Sequence, residues 1–297
     1  MHAMQIVIVA VLLPLALGIL VMTGLTSLFW LYEAVNTGHA GFLATRWRLS
    51  LPQAMVRLLL SSIRSHVLAY GLYPLGLFPA LHRTEGESER PPVLFVHGLY
   101  HNASAWLLFR RWLARDGFTR TKALHYWSFG TDYFTILEKL ARAVDALRAA
   151  HPGEPVVLVG HSLGGLLIRG YLSSPHCMDG ETCKVAAAVT LGAPHGGSRL
   201  AALGIGRLAR SLLYHGPLIR VLEARDQPPA CPVLALTTPL DNFVLPADGS
   251  DIALPGWTLE AGAPVCHVGM IHHEPTARRT AQFLAGAVSS LPATSLP

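Results

Sequence analysis

The chain has 297 residues and a formal net charge of +5; 51% of its residues are hydrophobic and only 14% are charged. A composition with so few charges excludes an intrinsically disordered protein and indicates that part of the chain lies in a membrane. Outside the segment that follows the first apolar stretch, basic residues form no cluster. We therefore interpret the net charge as affinity for lipid headgroups and expect no nucleic-acid partner.

The first apolar stretch covers residues 4–32, which contain no charged side chain. Because a helix needs roughly 20 apolar residues to cross a bilayer, residues 1–33 are predicted to form an N-terminal transmembrane anchor, as in a protein of the bacterial inner membrane. A cleaved signal peptide is the alternative, with Gly38-His39-Ala40 as a weak cleavage site. Against it, no Lys or Arg precedes the apolar run, which is longer than the core of a signal peptide.

Residues 34–90 are predicted to form a juxtamembrane segment and a linker. Within them, residues 58–81 are largely apolar but are interrupted by Arg64, Pro74 and Pro79, so they fit either a second span or a helix in the membrane interface. The choice decides the topology, because basic residues after a span favour the cytoplasmic side. One span leaves the rest of the chain in the cytoplasm, whereas two return it to the outside. The basic residues concerned are Arg46, Arg48, Arg57 and Arg64.

A linker rich in Glu, Gly, Ser and Pro at residues 84–92 marks a domain boundary, and residues 91–292 are predicted to form a separate domain. Strands and helices alternate there, which predicts an α/β fold with a mostly parallel sheet and helices on both faces. The longest insertion, residues 198–226, fits either a crossover helix or a lid that walls an acyl chain. Strands are predicted over 92–96, 122–126, 155–159, 185–191 and 232–237, and helices over 103–115, 134–150, 166–172 and 276–288.

The sequence Gly160-His161-Ser162-Leu163-Gly164-Gly165 lies where a predicted strand turns into a predicted helix. Glycines two residues before and after the serine permit a turn too tight for Cβ atoms, which lifts the Ser162 hydroxyl above the sheet. A flexible turn is the alternative interpretation. Because a serine hydroxyl is a weak nucleophile without a base, the catalytic interpretation requires a histidine and an acid later in the chain.

Both partners have candidates at the ends of late strands. Asp241 follows the predicted strand 232–237, where it fits either the acid or an ordinary turn aspartate. His267 follows the apolar residues 264–266 and is the predicted base. The other candidates are Asp248 and Asp251 for the acid, and His272 and His273 for the base.

Five motifs in order resemble an α/β-hydrolase of the bacterial lipase and esterase group over about residues 92–290. They are Phe-Val-His-Gly-Leu at 95–99, the serine turn at 160–165, Thr-Leu-Gly-Ala-Pro-His-Gly-Gly at 190–197, Asp241, and His-Val-Gly-Met at 267–270. The resemblance implies the α/β-hydrolase fold, and it implies that the backbone N–H groups of Leu99 and Leu163 form the oxyanion hole. At one position the sequence departs from this group, because many lipases have a glycine where this chain has Tyr100. His97 is expected to be a strand-end histidine that hydrogen-bonds to the loop.

Together these features predict a membrane-anchored serine hydrolase that cleaves carboxylic esters, above all lipid esters, with the bilayer and an ester or lipid substrate as its partners. An acyltransferase that uses the same acyl-enzyme is one alternative, and a non-catalytic membrane-tethered binding module is another. We expect no cofactor and no metal, since a site built from His267, His272, His273 and Glu274 would lack a second ligand cluster. Four cysteines, Cys177, Cys183, Cys231 and Cys266, fit either two disulfides in one of three pairings or four thiols.

Overall fold

Three helices form the N-terminal part of the computed structural model, which describes residues 2–289. They are α1 (His2–Asn36), α2 (His39–Trp47) and α3 (Leu51–Leu72), and two 3₁₀ turns, Tyr73–Leu77 and Pro79–His82, lead from α3 to the short strand β1 (Arg83–Thr84). Among the described residues, one stretch, Leu12–Asn36 within α1, is long and apolar enough to cross a membrane. Length and composition make it a candidate span, although a signal sequence or a core helix can meet the same criteria.

The rest of the chain is built on a seven-stranded sheet in the order β1-β3-β2-β4-β7-β8-β9. Every neighbouring pair is parallel except β1 with β3. The strands are β2 (Val93–Val96), β3 (Thr121–Ala123), β4 (Val156–His161), β7 (Val185–Leu191), β8 (Val233–Thr237) and β9 (Trp257–Ala261), with a separate hairpin of β5 (Met178–Asp179) and β6 (Thr182–Cys183). The predicted mostly parallel sheet is confirmed.

Helices cover both faces of this sheet. They are α4 (Leu107–Leu113), α5 (Tyr133–Ala150), α6 (Leu163–Leu172), α7 (Arg207–Ser211), α8 (Pro217–Arg225) and α9 (Glu274–Ser289). Successive strand side chains point to opposite faces, so Leu94 and Val96 pack with α5, α6 and α8, whereas Val93 and Phe95 pack with α4 and α9. Helix α5 starts where Asp132 accepts a hydrogen bond from Thr135 N at 3.0 Å, a side-chain cap.

Two predicted elements differ clearly from the observed ones, and an edge strand of the sheet was not predicted. The helix predicted over 103–115 is a 3₁₀ turn (Ala103–Trp106), α4 and a second 3₁₀ turn (Ala114–Asp116), while the strand predicted over 122–126 ends at Ala123. Strand β9 was not predicted, because it is an edge strand whose residues are all exposed or half-buried and it carries Glu260. Such a strand has no continuous apolar run for a pattern to detect.

A third core cluster joins the N-terminal helices to two loops of the sheet domain. Trp30 of α1 and Leu58 of α3 are buried together with Leu240, Cys266 and Val268. The indole Nε1 of Trp30 also donates a hydrogen bond to the carbonyl oxygen of Pro239 at 3.3 Å. The N-terminal helices therefore support the loop after β8 and the segment before α9, which carry the predicted acid and base.

The four cysteines are free thiols. The Sγ atoms of Cys177 and Cys183 lie 3.6 Å apart, which is a contact between thiols and not a bond.

Candidate active site

Ser162 lies in a sharp turn between β4 and α6. Its backbone has φ 55° and ψ −124°, a region that L-residues rarely adopt, and its N–H donates to the carbonyl oxygen of Leu191 at 2.9 Å. A Cβ atom at Gly160 would lie 2.6 Å from the backbone of Gly164, and one at Gly164 would overlap the carbonyl of Val96. Both glycines are therefore required by close backbone approach, as predicted for a turn that presents the serine.

Asp241 and His267 form a buried pair. Asp241 Oδ2 lies 2.8 Å from His267 Nδ1, and both side chains are almost wholly inaccessible to solvent. The other carboxylate oxygen of Asp241 accepts hydrogen bonds from the backbone N–H groups of Phe243 at 2.9 Å and Val244 at 2.8 Å. Both oxygens of the carboxylate are therefore engaged, and this geometry favours a proton on Nδ1, the arrangement that a histidine base with an unprotonated Nε2 requires.

The Ser162 and His267 side chains border the same cavity, which has a volume of about 370 Å³. Within residues 2–289, the Ser162 hydroxyl has no hydrogen-bond partner of its own. Hydrogen bonds between nucleophile and base are often looser without substrate, so this geometry is compatible with a catalytic pair. A Cβ atom at Gly98 would lie 3.0 Å from Ser162 Cβ, so only a glycine leaves this approach to the serine open.

The two predicted oxyanion donors differ in their surroundings. Leu99 borders the cavity, whereas Leu163, the residue after Ser162 and the first residue of α6, is buried. Among the described residues, neither backbone N–H donates a hydrogen bond to a protein acceptor. Their role in an oxyanion hole stays a prediction.

Tyr100 occupies the position where the resembling lipases often have glycine. Its backbone has φ 62°, and its N–H donates to Ser128 Oγ at 2.9 Å. The ring stacks on Phe129 with the centroids 5.2 Å apart, while the hydroxyl donates to the Ile205 carbonyl at 2.6 Å and accepts from the Ile205 N–H at 2.8 Å. These contacts hold a non-glycine residue in the left-handed region, and they tie the 198–226 insertion to the loop after β2.

That insertion packs partly into the core and partly beside the cavity. It comprises the 3₁₀ turn Arg199–Leu203, α7 and α8. Leu208, Ile219 and Leu222 pack into the core like an ordinary crossover, whereas Leu203 and Ile205 are exposed at the cavity.

Other histidines near the site have different surroundings from His267. His97 Nδ1 contacts the Gly98 carbonyl oxygen at 2.9 Å, and its ring stacks on Tyr126, in agreement with the predicted strand-end role. Burial lowers the pKa of His97 to about 4 and lowers the pKa of His161 well below its ordinary value. Both rings are therefore neutral near pH 7, and His161 Nε2 lies 3.1 Å from the backbone oxygen of His267.

The alternative acids and bases lie in other environments. Asp248 accepts a hydrogen bond from Tyr214 at 3.0 Å, and Asp251 lies on the surface. His272 is buried, with neither ring nitrogen hydrogen-bonded among the described residues, and His273 Nδ1 contacts Thr276 Oγ1 at 2.9 Å. The structure thus brings Asp241 and His267 together, and among the described residues none of these four side chains is hydrogen-bonded to that pair. Among the described residues, no group of three or more His, Cys, Asp or Glu side chains is arranged to hold a metal ion.

Asn242 is a site residue that the sequence analysis missed. Its Oδ1 accepts from the His267 N–H at 3.3 Å, and its Nδ2 donates to Thr26 Oγ1 at 2.7 Å and to Ser62 Oγ at 3.4 Å. The sequence did contain a sign that α1 packs against the protein, because polar residues recur on one face of this apolar helix. These residues, all buried, are Thr23, Thr26, Ser27, Trp30 and Glu33.

Solved structures of other hydrolases share this fold. The lipase BlEst2 from Bacillus licheniformis aligns with a TM-score of 0.56 at 17% sequence identity, covering 68% of this chain and 94% of that one. An esterase of the bacterial hormone-sensitive lipase family aligns with a TM-score of 0.53 at 18% sequence identity, covering 69% of this chain and 78% of that one. At such identities the likeness shows the fold alone, and it confirms the predicted α/β-hydrolase architecture.

Sequence comparison leads to the same group of proteins. The probable esterase PIR7A of rice, Oryza sativa subsp. indica, is 42% identical over an alignment of 106 residues that covers 34% of this chain. The matched part is only 38% of the length of that relative. A model described as "Alpha/beta hydrolase family" matches residues 93–294. Since that match covers more than half of the sequence, from β2 to beyond α9, the chain belongs to the alpha/beta hydrolase family.

Proposed function

We propose that the protein is a membrane-anchored serine hydrolase that cleaves carboxylic esters, in particular esters of membrane lipids. The observation that carries the proposal is the position of His267, which is hydrogen-bonded to the buried Asp241 and borders the same cavity as Ser162. Nucleophile, base and acid follow one another in the order of the α/β-hydrolases. The esterases and lipases among its relatives support the reaction class.

The proposed reaction has two steps. Ser162 Oγ attacks the ester carbonyl carbon while His267 Nε2 takes the hydroxyl proton, and the ester C–O bond breaks as His267 returns that proton to the departing alcohol. Water then attacks the acyl-enzyme, giving one proton to His267. The bond between Ser162 and the acyl group breaks, the acid leaves, and His267 reprotonates Ser162. Throughout, Asp241 holds the ring and stabilises its positive charge.

The negative charge that develops on the carbonyl oxygen needs donors that are already in place. The N–H groups of Leu99 and Leu163, which have no protein acceptor among the described residues, are the proposed donors. Each such donor typically contributes about 10²-fold or more to kcat.

Membrane anchoring is part of the proposal. We assign residues 1–33 to the anchor, residues 34–90 to a juxtamembrane segment and residues 91–292 to the catalytic domain. Leucines of α1 at positions 12, 13, 15, 17 and 20 are exposed, as expected of a lipid-facing surface.

Helix α3 buries Ala54, Leu58 and Ser62 against the protein and exposes Leu60 and Val67, which supports an interfacial position and not a second span. With one span, Arg46 and Arg48 favour a cytoplasmic catalytic domain.

The proposed function is tested by labelling with a fluorophosphonate and by hydrolysis of a panel of esters. The purified wild type, Ser162→Ala and the matched control Ser211→Ala are compared in detergent micelles. We expect Ser162→Ala to lose both labelling and turnover, because no other group takes the place of the nucleophile, and we expect Ser211→Ala to retain both.

Each contrary result has a distinct meaning. Labelling that persists in Ser162→Ala would exclude Ser162 as the nucleophile. A folded wild type that is neither labelled nor active on any ester would support a non-catalytic binding module. Labelling together with transfer of the acyl group to an added alcohol or thiol, in place of release of free acid, would support an acyltransferase.

A further inference from the structure

Helix α1 contributes directly to the cavity that contains Ser162. Its residues Met22, Leu25, Thr26 and Phe29 border the cavity. They are spaced at i, i+3, i+4 and i+7, so they occupy one face of the helix. The candidate membrane span is therefore also a wall of the candidate active site.

The surface that α1 presents to this cavity is apolar. The Thr26 hydroxyl donates to the Met22 carbonyl oxygen at 2.8 Å and accepts from Asn242, so it offers little to a ligand. Across the cavity, the insertion contributes apolar residues as well. These are Leu200, Ala201, Leu203, Ile205 and Leu212. A volume of about 370 Å³ is in the usual range for a small-molecule site, and apolar walls around one reactive serine match an acyl chain.

The cavity is open along α1. Met22, Leu25 and Phe29 border it and are nevertheless 41%, 44% and 37% exposed, so this wall is accessible from outside the protein. Leu203 and Ile205 of the insertion also border the cavity and are exposed by 63% and 72%. Both α1 and the insertion therefore contribute exposed apolar residues to its rim.

The same helix continues into the apolar surface that precedes the cavity. Residues 12–18 are exposed all around the helix, and from Ile19 onward one face packs on the protein. With a rise of 1.5 Å per residue, Leu12 lies about 25 Å along the helix from Phe29. An acyl chain in the bilayer therefore meets a continuous apolar surface from the lipid-facing part of α1 to the serine.

We propose that α1 is part of the substrate site: the acyl chain of a membrane lipid ester enters sideways along α1, and Met22, Leu25 and Phe29 determine the chain length that is accepted. This proposal rests on the proposed function of Ser162, but it assigns to the anchor a second role that a simple tether would not have. A short, water-soluble acyl group would leave this apolar wall unfilled, so long chains are the preferred substrates.

The first test replaces a wall residue and measures acyl selectivity in micelles. For each variant, kcat/KM is measured with p-nitrophenyl palmitate and p-nitrophenyl butyrate, and the ratio of the two is compared, since the ratio does not depend on the active fraction. Leu25→Trp fills part of the cavity and is expected to lower the palmitate-to-butyrate ratio of kcat/KM by about tenfold or more. Phe29→Ala enlarges the cavity and is expected to raise this ratio. Leu28→Trp is the matched control, because Leu28 is exposed on α1 but does not border the cavity.

The second test locates the chain directly in the wild type. A long-chain alkyl fluorophosphonate with a terminal diazirine is bound to Ser162 and irradiated, and crosslinked peptides are identified by mass spectrometry. We expect crosslinks to residues 20–32 of α1. Crosslinks confined to other segments, or equal ratios in Leu25→Trp and Leu28→Trp, would overturn the role of α1 while leaving the hydrolase intact. Absence of any labelling of Ser162 would instead overturn the proposed function.

Discussion

At the scale of single residues, the geometry around His267 depends on a glycine that touches both members of the buried pair. Gly192 follows β7 with φ +53°, and a Cβ atom there would lie 3.2 Å from Asp241 Oδ2 and 3.2 Å from His267 Nδ1. Such contacts are tighter than ordinary van der Waals contacts. The glycine therefore allows the carboxylate and the imidazole to meet beside the backbone.

Gly192→Ala is expected to lower kcat by about tenfold or more, because the methyl group displaces the two side chains and a small displacement of catalytic groups is costly. Steady-state hydrolysis of p-nitrophenyl butyrate measures the effect. Gly196→Ala is the matched control, since a Cβ atom there would make an ordinary contact of 3.4 Å with Gly249. Equal kcat values in the two variants would show that the observed pair is not the catalytic one.

The candidate residues Ser162, Asp241 and His267 could be named from the sequence because each has a local signal. These signals are the glycines around Ser162, the predicted strand before Asp241 and the apolar residues 264–266 before His267. The role of Asn242 was not predictable in this way, because its partner Thr26 is 216 residues away in the sequence. A hydrogen bond between such distant residues produces no pattern in the sequence around Asn242. The spacing of polar residues along α1 indicates a packed face but does not identify the partner.

At the scale of elements, α1 and α3 form part of the support for the loops that carry Asp241 and His267. Asn242 connects Thr26 of α1 and Ser62 of α3 to the backbone of His267, and Ser61 Oγ accepts a hydrogen bond from the Cys266 N–H at 3.0 Å. The N-terminal helices are therefore expected to influence catalysis, not only location.

Thr26→Val removes the acceptor of the shortest hydrogen bond from Asn242 and leaves a buried amide donor with a weaker partner. We expect kcat to fall severalfold with little change in KM, and the free energy of unfolding to fall by about 1–3 kcal/mol. Thr23→Val is the matched control, because the buried Thr23 hydroxyl has no partner among the described residues and its loss is expected to be neutral or stabilising. If both variants have the same kcat and stability, the contact does not position His267.

The predicted elements that agree best with the structure are those that are buried on both faces or strongly amphipathic. Strand β7 begins and ends where predicted, and α5 differs by one residue. Two other strands differ more: β9, at the edge of the sheet, has no fully buried residue, and β3, which lies between β1 and β2, has only three residues. Packing of an apolar face is what creates a sequence pattern, so elements with little burial are the hardest to predict.

At the scale of the whole molecule, buried histidines make stability depend on pH. Burial lowers the pKa of His195 to about 3 and that of His97 and His272 to about 4. In the unfolded chain the pKa of histidine is about 6.5, so below that pH the unfolded state binds more protons than the folded state. The free energy of unfolding must then increase with pH across this window.

We expect the free energy of unfolding to be highest above about pH 6.5 and to fall as the pH is lowered toward 4. Each of these histidines contributes a slope of up to about 1.4 kcal/mol per pH unit. Urea unfolding in detergent micelles between pH 7.5 and 4.5 measures the slope. His195→Gln removes one of these buried histidines and is expected to make the slope shallower, whereas His176→Gln, a change at an exposed position, is expected to leave it unchanged. Identical slopes in the two variants, or stability that increases on acidification, would contradict the assignment of these histidines as neutral in the folded protein.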